Sequence, residues 1–541
     1  MRLIKVAVAN VNSTVGAVRS NTDKVLRIAR LIGEEEATLA CFPEQVIGGY
    51  PAEDLIQWRA FVAAQRTELE RFAAETSDLP TVYVLGVAIS VGAQLYNCAA
   101  VVLRGRILGF VPKEKLPTYE VFYEERTFSR GGPGLALDAE GVELGDFVFG
   151  FDFGTVAVEV CEDAWSPDGP IRRRCYSGAE IVVNVSASPY RIGLESTRRE
   201  MFSTRSADNQ VAFIYANAVG AQDGLVFDGG GYVVQNGRMV LDAERLREGY
   251  ACAVIDLDRT RNLRQQNTTW RVESNHFRQT KKAVAILRID QPTADRSKLP
   301  YPAPLGGSFF LPSIEMTSRS PRADVLDDLY EVLALGVKDY FCKTGAFRSI
   351  GVALSGGRDS MLTLLIAWRA ADTIIVESKE ARPGLSLEKL ITAFYMPSRH
   401  SRPATKEAAS SICEDLGIPL RTLSIEEAYE REVAATHSLL AGDCDLSAET
   451  DQNIQARLRA ARMWNWSNSA QALFLQTGDM SEKAVGYTTI GGDLEGGLAV
   501  IANLPKTVVI ALLERLLERF GFQGIATTLE TVPGPELAAE Q

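Results

Sequence analysis

A proline-rich segment near the middle of the chain constrains the fold more than any other feature of the sequence. Residues 291–322 contain six prolines and the pair Gly306-Gly307. Proline lacks a backbone N–H and fixes φ, so neither a long helix nor a central strand is expected to cross this segment. We therefore predict a linker over 291–322 that joins two domains, residues 1–290 and 323–541. A chain of 541 residues is long enough to build a large core on each side.

The two halves carry different patterns of apolar residues. The first half alternates short apolar strands with amphipathic helices, and Asn236-Gly237 marks a hairpin turn because both residues tolerate positive φ. The second half repeats a strand and a helix in turn from residue 349 onward, which is typical of a doubly wound parallel sheet. We predict an α/β protein with a layered, mixed-sheet first domain and a Rossmann-like second domain.

Composition and charge exclude several classes of protein. The chain carries 57 Lys and Arg against 69 Asp and Glu, a net charge of −12, so it lacks the basic surface of a nucleic-acid-binding protein. No apolar run approaches the roughly 20 residues of a membrane span. The first strand turns polar at Asn10 and Asn12, unlike a secretory signal. We therefore expect a cytoplasmic protein that acts on small molecules, without nucleic-acid or membrane partners.

Cysteine and histidine usage narrows the chemistry further. The eight cysteines are scattered and form no CxxC pair, and there are only three histidines. This pattern indicates neither a disulfide framework nor a zinc finger. It also disfavours a catalytic Ser-His-Asp or Cys-His arrangement.

A glycine-rich loop in the second half has the pattern of a phosphate-binding site. An apolar strand, 350–354, runs into Ser355-Gly356-Gly357 and then into a helix that begins near Asp359 and Ser360. Glycines let the backbone approach a polyanion, and the free N–H groups of a helix start point toward it. The two serines add hydroxyl donors, and Asp359 suits a Mg²⁺ ion that also binds phosphate oxygens. The alternative is an ordinary tight turn between a strand and a helix.

Three residues in the first half have the chemistry of an activated thiol. Cys161 ends one predicted strand, Glu44 follows another, and Lys113 precedes a Leu-Pro pair. A thiol becomes a nucleophile when a base removes its proton, and a carboxylate serves where histidine is scarce. A nearby ammonium stabilises the thiolate and then the oxyanion. Lys115 competes with Lys113 for this role, and a structural role for Cys161 as a buried strand thiol is the alternative.

The second half resembles a known family. The Ser355–Ser360 segment, SGGRDS, is similar to the pyrophosphate loop of the N-type ATP pyrophosphatases. The segments NIQARLR from 453, TGDMSE from 477 and LPKT from 504 follow in the order seen in NAD synthetases. The resemblance implies that Asp359 and Glu482 hold Mg²⁺. It implies that ATP is bound by Ser355, Gly356, Gly357, Asp359, Ser360, Arg457 and Thr477, and deamido-NAD by Asn453, Asp493 and Lys506.

The first half resembles the nitrilase superfamily, through Pro43-Glu44, the KxxLP pattern from Lys113 and the CED triplet from Cys161. The resemblance implies an α-β-β-α sandwich and association into a homo-oligomer. It implies Glu44 as the general base, Lys113 as the electrostatic stabiliser and Cys161 as the nucleophile of a thioester mechanism. Glu124 matches an additional glutamate beside them. Glutamine is expected to be held by Tyr119, Ser188 and Arg191.

Together the two resemblances imply the glutamine-dependent NAD synthetase family, in which ammonia from glutamine amidates deamido-NAD that ATP has adenylated. Three departures accompany this expectation. Gly231 stands where a larger residue is commoner in the family. Arg358 stands where the family usually has an apolar residue, so it either reaches phosphate or faces solvent. Family members are also expected to continue beyond residue 541. The alternatives are an amidotransferase with another adenylated acceptor, a nucleotide-binding assembly protein with an inactive synthetase half, and a plain amidase.

Overall fold

The chain divides into two units, Met1–Thr317 and Ser318–Gln541. The computed structural model describes residues 1–222, 224–302, 321–380, 383–531, 534 and 537. Residues 303–320 of the predicted linker, including Gly306-Gly307, lie outside the described residues. A helix begins at Pro321, where the missing N–H of proline removes no intrahelical hydrogen bond.

The first unit contains sixteen strands and seven α-helices among its described residues, besides short 3-10 turns at Glu53–Gln57 and Glu124–Arg126. In chain order they are β1 (Leu3–Asn10), α1 (Val18–Glu34), β2 (Leu39–Cys41), α2 (Arg59–Glu75), β3 (Val82–Val91), β4 (Gln94–Leu103), β5 (Arg106–Pro112), β6 (Ala136–Ala139), β7 (Val142–Gly145), β8 (Phe147–Gly150), β9 (Thr155–Val160), α3 (Glu162–Trp165), α4 (Ile171–Tyr176), β10 (Ile181–Ser186), α5 (Leu194–Asp208), β11 (Ala212–Asn217), β12 (Val219–Gln222), β13 (Leu225–Gln235), β14 (Arg238–Arg245), β15 (Gly249–Asp256), α6 (Leu257–Gln266), α7 (Thr268–Thr280) and β16 (Ala285–Arg288).

These strands form two mixed sheets. The first has the order β15-β1-β2-β3-β4-β5-β7-β6, and the second has the order β12-β13-β11-β10-β9-β8-β16, with β14 added beside β13. The predicted hairpin is confirmed, because β13 pairs antiparallel with β14 and both Asn236 and Gly237 have positive φ. The mixture of parallel and antiparallel pairs confirms the layered, mixed-sheet prediction.

Successive side chains along each strand point to opposite faces of its sheet, and this alternation allows four layers to pack. In β1, Val6 and Val8 point into a core shared with strands of the second sheet, whereas Ala7 and Ala9 pack in a core with α1 and α2. A third core joins the outer face of the second sheet to α4 and α5. Both sheets are therefore covered by helices on their outer faces, which confirms the α-β-β-α sandwich.

The second unit contains five strands and nine helices among its described residues. They are α8 (Pro321–Thr344), β17 (Ser349–Ala353), α9 (Arg358–Glu377), α10 (Leu387–Leu390), β18 (Ile391–Tyr395), α11 (Pro403–Leu416), β19 (Leu420–Thr422), α12 (Glu426–Leu440), α13 (Ala448–Ala470), β20 (Ala472–Gln476), α14 (Met480–Val485), β21 (Leu498–Ala499), α15 (Lys506–Phe520) and α16 (Gln523–Glu530).

The five strands form one parallel sheet in the order β19-β18-β17-β20-β21. This order confirms the doubly wound prediction. Successive strands are added outward from β17 on one side and from β20 on the other, so the strand order reverses between β17 and β20. Ligands of such sheets bind at this point, in the crevice beyond the carboxyl ends of the strands. The glycine-rich loop follows β17, and the TGDMSE segment follows β20. In neither unit is any described helix long and apolar enough to cross a membrane.

Candidate active sites

The thiol site of the first unit lies where the two sheets meet. Glu44 and Lys113 follow strands β2 and β5 of the first sheet, and Cys161 follows β9 of the second. The side chains of Glu44 and Lys113 are at most 1% exposed, and Cys161 is 5% exposed. A charged pair this deeply buried costs free energy unless each charge is matched and hydrogen-bonded.

Hydrogen bonds satisfy the buried charges. Lys113 Nζ lies 2.8 Å from Glu44 Oε1 and 2.8 Å from Glu124 Oε1. Asn97 Nδ2 also donates to Glu44 Oε1, at 2.6 Å, and the Ala187 N–H donates to Oε2 at 3.0 Å. The structure therefore brings together three of the predicted residues, Glu44, Lys113 and Glu124. Of the two candidate lysines, Lys113 supplies the ammonium of this cluster.

Tyr50 was missed by sequence reasoning, although its hydroxyl donates to Glu124 Oε1 at 2.9 Å. It is 9% exposed and lies behind the glycine pair that follows Glu44. Asn97 was missed as well. Both positions are ordinary in the sequence, because no pattern of neighbours marks a tyrosine or an asparagine as the partner of a distant glutamate.

The pKa shifts of the site show how its protons are distributed. Burial raises the pKa of the Cys161 thiol well above its usual value, the charge of Glu44 adds to this effect, and Lys113 opposes it. Burial alone would lower the pKa of Lys113, but Glu124 and Glu44 outweigh it and raise that pKa. Burial raises the pKa of Glu124 to about 7 against the opposing charge of Lys113. The resting thiol is therefore protonated, and the reaction needs a base.

The backbone of Cys161 is strained. Its φ is 43° and its ψ is −97°, at the sharp turn between β9 and α3. For a residue other than glycine, such a backbone conformation costs about 1–3 kcal/mol of free energy. Surrounding contacts must therefore hold Cys161 in it. The Cys161 N–H donates to Val185 O at 2.9 Å, and its carbonyl accepts from the Ala164 N–H and from Asn184 Nδ2. Strain of this kind is typical of a functional position.

The three predicted glutamine-binding residues have different environments. The hydroxyl of Tyr119 donates to Glu162 Oε2 at 3.0 Å, and Arg191 pairs with Glu120 at 3.3 Å; both Tyr119 and Arg191 are exposed. Ser188 is buried, and Arg198 donates to its carbonyl at 2.8 Å and to its hydroxyl at 3.2 Å. No hydrogen bond joins these three residues to one another among the contacts described for the first unit.

The glycine-rich loop of the second unit is preformed. Gly356 has φ +80°, and a Cβ there would lie 2.2 Å from Thr405 O, so only glycine fits. The hydroxyls of Ser355 and Ser360 lie 3.0 Å apart, and each also accepts a backbone N–H of the loop, from Gly357 and Ser355 respectively. The loop therefore presents backbone and hydroxyl groups at the start of α9.

Carboxylates surround one lysine in the crevice between β17 and β20. Lys506 Nζ lies 2.6 Å from Asp359, 2.9 Å from Asp479 and 3.1 Å from Glu482. Burial raises the pKa of Asp359 and of Glu482, neighbouring carboxylates add to the rise, and Lys506 opposes it. Among the described residues, no group of three or more His, Cys, Asp and Glu is arranged to hold a metal ion.

Asp479 is a third residue that sequence reasoning missed. Its side chain is fully buried, and it caps α14 by accepting the Glu482 N–H at 2.8 Å. It was visible as the aspartate of TGDMSE, one residue before the helix, where Asp is a preferred cap. The cap fixes Glu482 relative to Asp479, so the two carboxylates enter the crevice together.

Two of the three predicted dinucleotide-binding residues, Asn453 and Asp493, meet at Thr489. The Thr489 hydroxyl donates to Asn453 Oδ1 at 2.6 Å, and the Thr489 N–H donates to Asp493 Oδ1 at 2.5 Å. Arg457, on the same helix as Asn453, donates to Ile490 O at 3.0 Å. The structure thus brings Asn453, Arg457 and Asp493 together, whereas the Lys506 ammonium contacts the crevice carboxylates. Thr477 directly follows β20, two residues before Asp479.

Arg358 is half-buried and turns toward the last described helix, α16. It donates to Leu529 O at 3.1 Å, and the Thr528 hydroxyl donates to Gly356 O at 3.3 Å. Hydrogen bonds to Gly356 and to Arg358, the two neighbours of Gly357, therefore join helix α16 to the glycine-rich loop.

Comparisons with known proteins define the class of each unit. The sequence model of the carbon-nitrogen hydrolase family matches residues 5–265, and that of the NAD synthase family matches residues 329–520. The glutamine-dependent NAD(+) synthetase of Aquifex aeolicus is 32% identical, over 94% of this chain and 81% of the relative. That of Xanthomonas campestris pv. campestris is 33% identical, over 94% and 78%.

Solved structures agree with the sequence comparisons. The glutamine-dependent NAD+ synthetase of Acinetobacter baumannii, in complex with ADP, superposes with a TM-score of 0.75 at 26% identity, covering 98% of this chain and 86% of its own. The enzyme of Cytophaga hutchinsonii superposes with a TM-score of 0.77 at 21% identity, covering 99% and 85%, and supports the fold. A carbon-nitrogen hydrolase unit joined to an NAD synthase unit is the class that these matches define. The chain belongs to the glutamine-dependent NAD(+) synthetase family.

Proposed function

We propose that the first unit hydrolyses glutamine at Cys161 and that the second unit uses the ammonia to convert deamido-NAD to NAD with ATP. One observation carries the proposal most strongly. Lys113 is buried between Glu44 and Glu124 beside a strained cysteine, in a chain of the glutamine-dependent NAD(+) synthetase family. Burying these charges costs free energy, so a buried cluster of this kind is expected where a reaction requires it.

In the first unit, Glu44 acts as the base. It takes the thiol proton as Cys161 Sγ bonds to the carboxamide carbon of glutamine, and the Lys113 ammonium stabilises the oxyanion that forms. The proton then passes to the leaving nitrogen, the C–N bond breaks, and ammonia departs from a thioester. Glu44 next deprotonates a water that attacks the thioester, and the proton returns to the sulfur as glutamate leaves. Glu124 holds Lys113 in place throughout.

In the second unit, the nicotinate carboxylate of deamido-NAD attacks the α-phosphorus of ATP, and pyrophosphate leaves. Ammonia then attacks the acyl carbon of the adenylate, AMP leaves, and a proton is released to give the amide of NAD. The Ser355–Ser360 loop would bind the phosphates, because it leads into the start of α9 and carries two serine hydroxyls 3.0 Å apart. Arg457 and Thr477 would add contacts to ATP.

The residues of the crevice fit Mg²⁺. Asp359 Oδ1 is buried and has no hydrogen-bond partner among the described residues. Asp359 with Glu482 gives the two carboxylates that this ion commonly takes beside phosphate oxygens. Bound there, Mg²⁺ would neutralise charge on the pyrophosphate. Lys506 and Asp479 keep the carboxylates in place, and we expect Lys506 to turn from them to the substrate.

Two groups of residues would recognise the substrates. Tyr119, Ser188 and Arg191 would hold glutamine. Asn453 and Asp493, which meet at Thr489, would contact deamido-NAD together with Lys506. We propose that the protein works in the cytoplasm as a homo-oligomer and that its partners are these small molecules alone.

The product balance of the reaction tests the proposal. The protein is incubated with deamido-NAD, ATP, Mg²⁺ and glutamine as the only nitrogen source. We expect NAD, AMP and glutamate to rise together. Glutamate without NAD would overturn the proposed acceptor, and NAD without glutamate would overturn the proposed nitrogen donor.

A further inference from the structure

Asp163 is a fully buried carboxylate two residues beyond Cys161, and the proposed chemistry does not use it. Its Oδ1 accepts the backbone N–H of Glu114 at 3.0 Å and that of Lys115 at 2.9 Å. Its Oδ2 accepts the backbone N–H of Val160 at 3.1 Å. A carboxylate that receives three backbone donors is held rigidly, because each bond to a charged acceptor is stronger than a neutral one.

The donors belong to both sides of the thiol site. Glu114 and Lys115 directly follow Lys113 at the end of β5, in the first sheet. Val160 directly precedes Cys161 at the end of β9, in the second sheet. The Asp163 carboxylate therefore ties the segment that carries the ammonium to the strand end that carries the nucleophile.

The charge of Arg174 and the backbone donors oppose the effect of burial on the pKa of Asp163. Burial raises the pKa of Asp163 to about 6, and the charge of Arg174 opposes the rise. Arg174 is 1% exposed and is held by Asp146 at 3.0 Å, by Glu114 at 3.2 Å and by Val158 O at 2.5 Å. Arg173 also pairs with Glu114 and Asp146. At neutral pH Asp163 is mainly ionised.

The strained turn makes this tie important. Cys161 keeps its positive φ while hydrogen bonds hold both Cys161 itself and its neighbours. Val160 is one of those neighbours, and its N–H donates to Asp163. Loss of that bond loosens the strand end from which the nucleophile leaves β9, and displacements of about 1 Å cost about 100-fold in rate.

We infer that Asp163 is a positioning residue of the glutaminase reaction, which fixes Lys113 relative to Cys161 by bonding the backbone on both sides of the site. The inference rests on the proposed glutamine hydrolysis. It assigns Asp163 no contact with glutamine, so it predicts an effect on kcat and not on KM.

Asp163→Asn is the direct test. An amide has one acceptor oxygen, so its NH2 must face either Val160 or the Glu114 and Lys115 donors, and one side of the tie becomes a repulsion. We expect kcat for glutamine hydrolysis to fall about 10- to 100-fold, with KM within about threefold of the unmodified protein, as for a small displacement. Iodoacetamide should also alkylate Cys161 more slowly. Mass spectrometry of the peptide that contains Cys161 measures this rate. NAD formation from ammonium should be unchanged.

Asp168→Asn is the matched control, since Asp168 is an exposed carboxylate five residues further along the chain. If Asp163→Asn does not fold, Asp163→Ser replaces it, because serine is smaller and carries no amide donor. A kcat within twofold of the unmodified protein would overturn the inference. A rise in KM without a fall in kcat would also overturn it. So would a fall in rate that is fully explained by a smaller folded fraction, as measured by thermal unfolding. Absence of glutamine hydrolysis in the unmodified protein would instead refute the proposed function.

Discussion

Burial decides which side chains of the first unit can react. Cys161 is protonated at rest because burial disfavours the thiolate, so its reactivity depends on a base in contact with the site. Lys113 stays charged in the same interior because Glu44 and Glu124 flank it. The sequence could predict these residues from their motifs. It could not predict Tyr50 or Asn97, since their roles exist only when distant strands are packed together.

Glu159 gives a pH dependence whose sign follows from its burial. It is fully buried, only one of its oxygens is bonded, to Asn184 at 3.3 Å, and burial chiefly raises its pKa to about 8. The unfolded chain releases this proton near pH 4.5, so between about pH 4.5 and 8 it binds fewer protons than the folded chain. Stability therefore falls as pH rises through this range.

Glu159→Gln mimics the protonated form of Glu159 and should remove this fall in stability at high pH. We expect the unfolding temperature of the variant, relative to the unmodified protein, to be higher at pH 8 than at pH 5, as measured by differential scanning calorimetry. Glu143→Gln, at an exposed strand position, is the control. The same difference at both pH values would contradict the assignment.

Lys506 occupies the position between carboxylates that a divalent cation would compete for. Lys506→Met leaves Asp359, Asp479 and Glu482 without their shared ammonium, so we expect tighter binding of Mn²⁺ alone, by about tenfold or more because two unit charges at such distances interact by over 1 kcal/mol. Electron paramagnetic resonance of free Mn²⁺, without nucleotide, measures this directly. The exposed Lys483 on α14 provides the control, Lys483→Met. Equal or weaker binding by Lys506→Met would show that these carboxylates do not form a cation site.

Among the elements, the turn from β17 to α9 carries the clearest sequence signal. Its two glycines predicted a phosphate loop, and the structure gives the reason for Gly356: a positive φ and a carbonyl directly above it. The packing of α16 on this loop had no such signal. Arg358 looked like a departure from the family pattern, and only its bond to Leu529 O shows where it goes.

Gly356→Ala should disable the second unit alone. The added Cβ would collide with Thr405 O, so the loop must move and its donors lose their alignment. We expect NAD formation from ammonium to fall about 100-fold or more, because misplacement by about 1 Å already costs that much. Glutamine hydrolysis should persist.

Gly384→Ala tests whether positive φ by itself explains the loss. Gly384 has φ +84° and open space around it, so its alanine variant is strained without a collision. Near-normal NAD formation by this control is expected. An active Gly356→Ala protein would mean that the loop does not hold the phosphates.

At the scale of the whole molecule, the sequence predicted two different folds and the residue order of two active sites. Strand order and partner choice were beyond it, because both depend on packing between segments far apart in the chain. Lys506 illustrates the difference: its motif indicated a substrate contact, whereas the structure pairs it with three carboxylates. Asp479 lay inside a quoted motif, yet only its burial and its bond to Glu482 distinguish it.

The central claim is that one chain makes ammonia at Cys161 and consumes it at the Ser355–Ser360 loop. The most direct measurement is NAD formation by Cys161→Ala, with glutamine and with ammonium in turn, beside Asp359→Asn. We predict that Cys161→Ala makes NAD from ammonium at the unmodified rate and none from glutamine, while Asp359→Asn makes none from either source and still hydrolyses glutamine. NAD formation from glutamine by Cys161→Ala, or from ammonium by Asp359→Asn, would contradict the account.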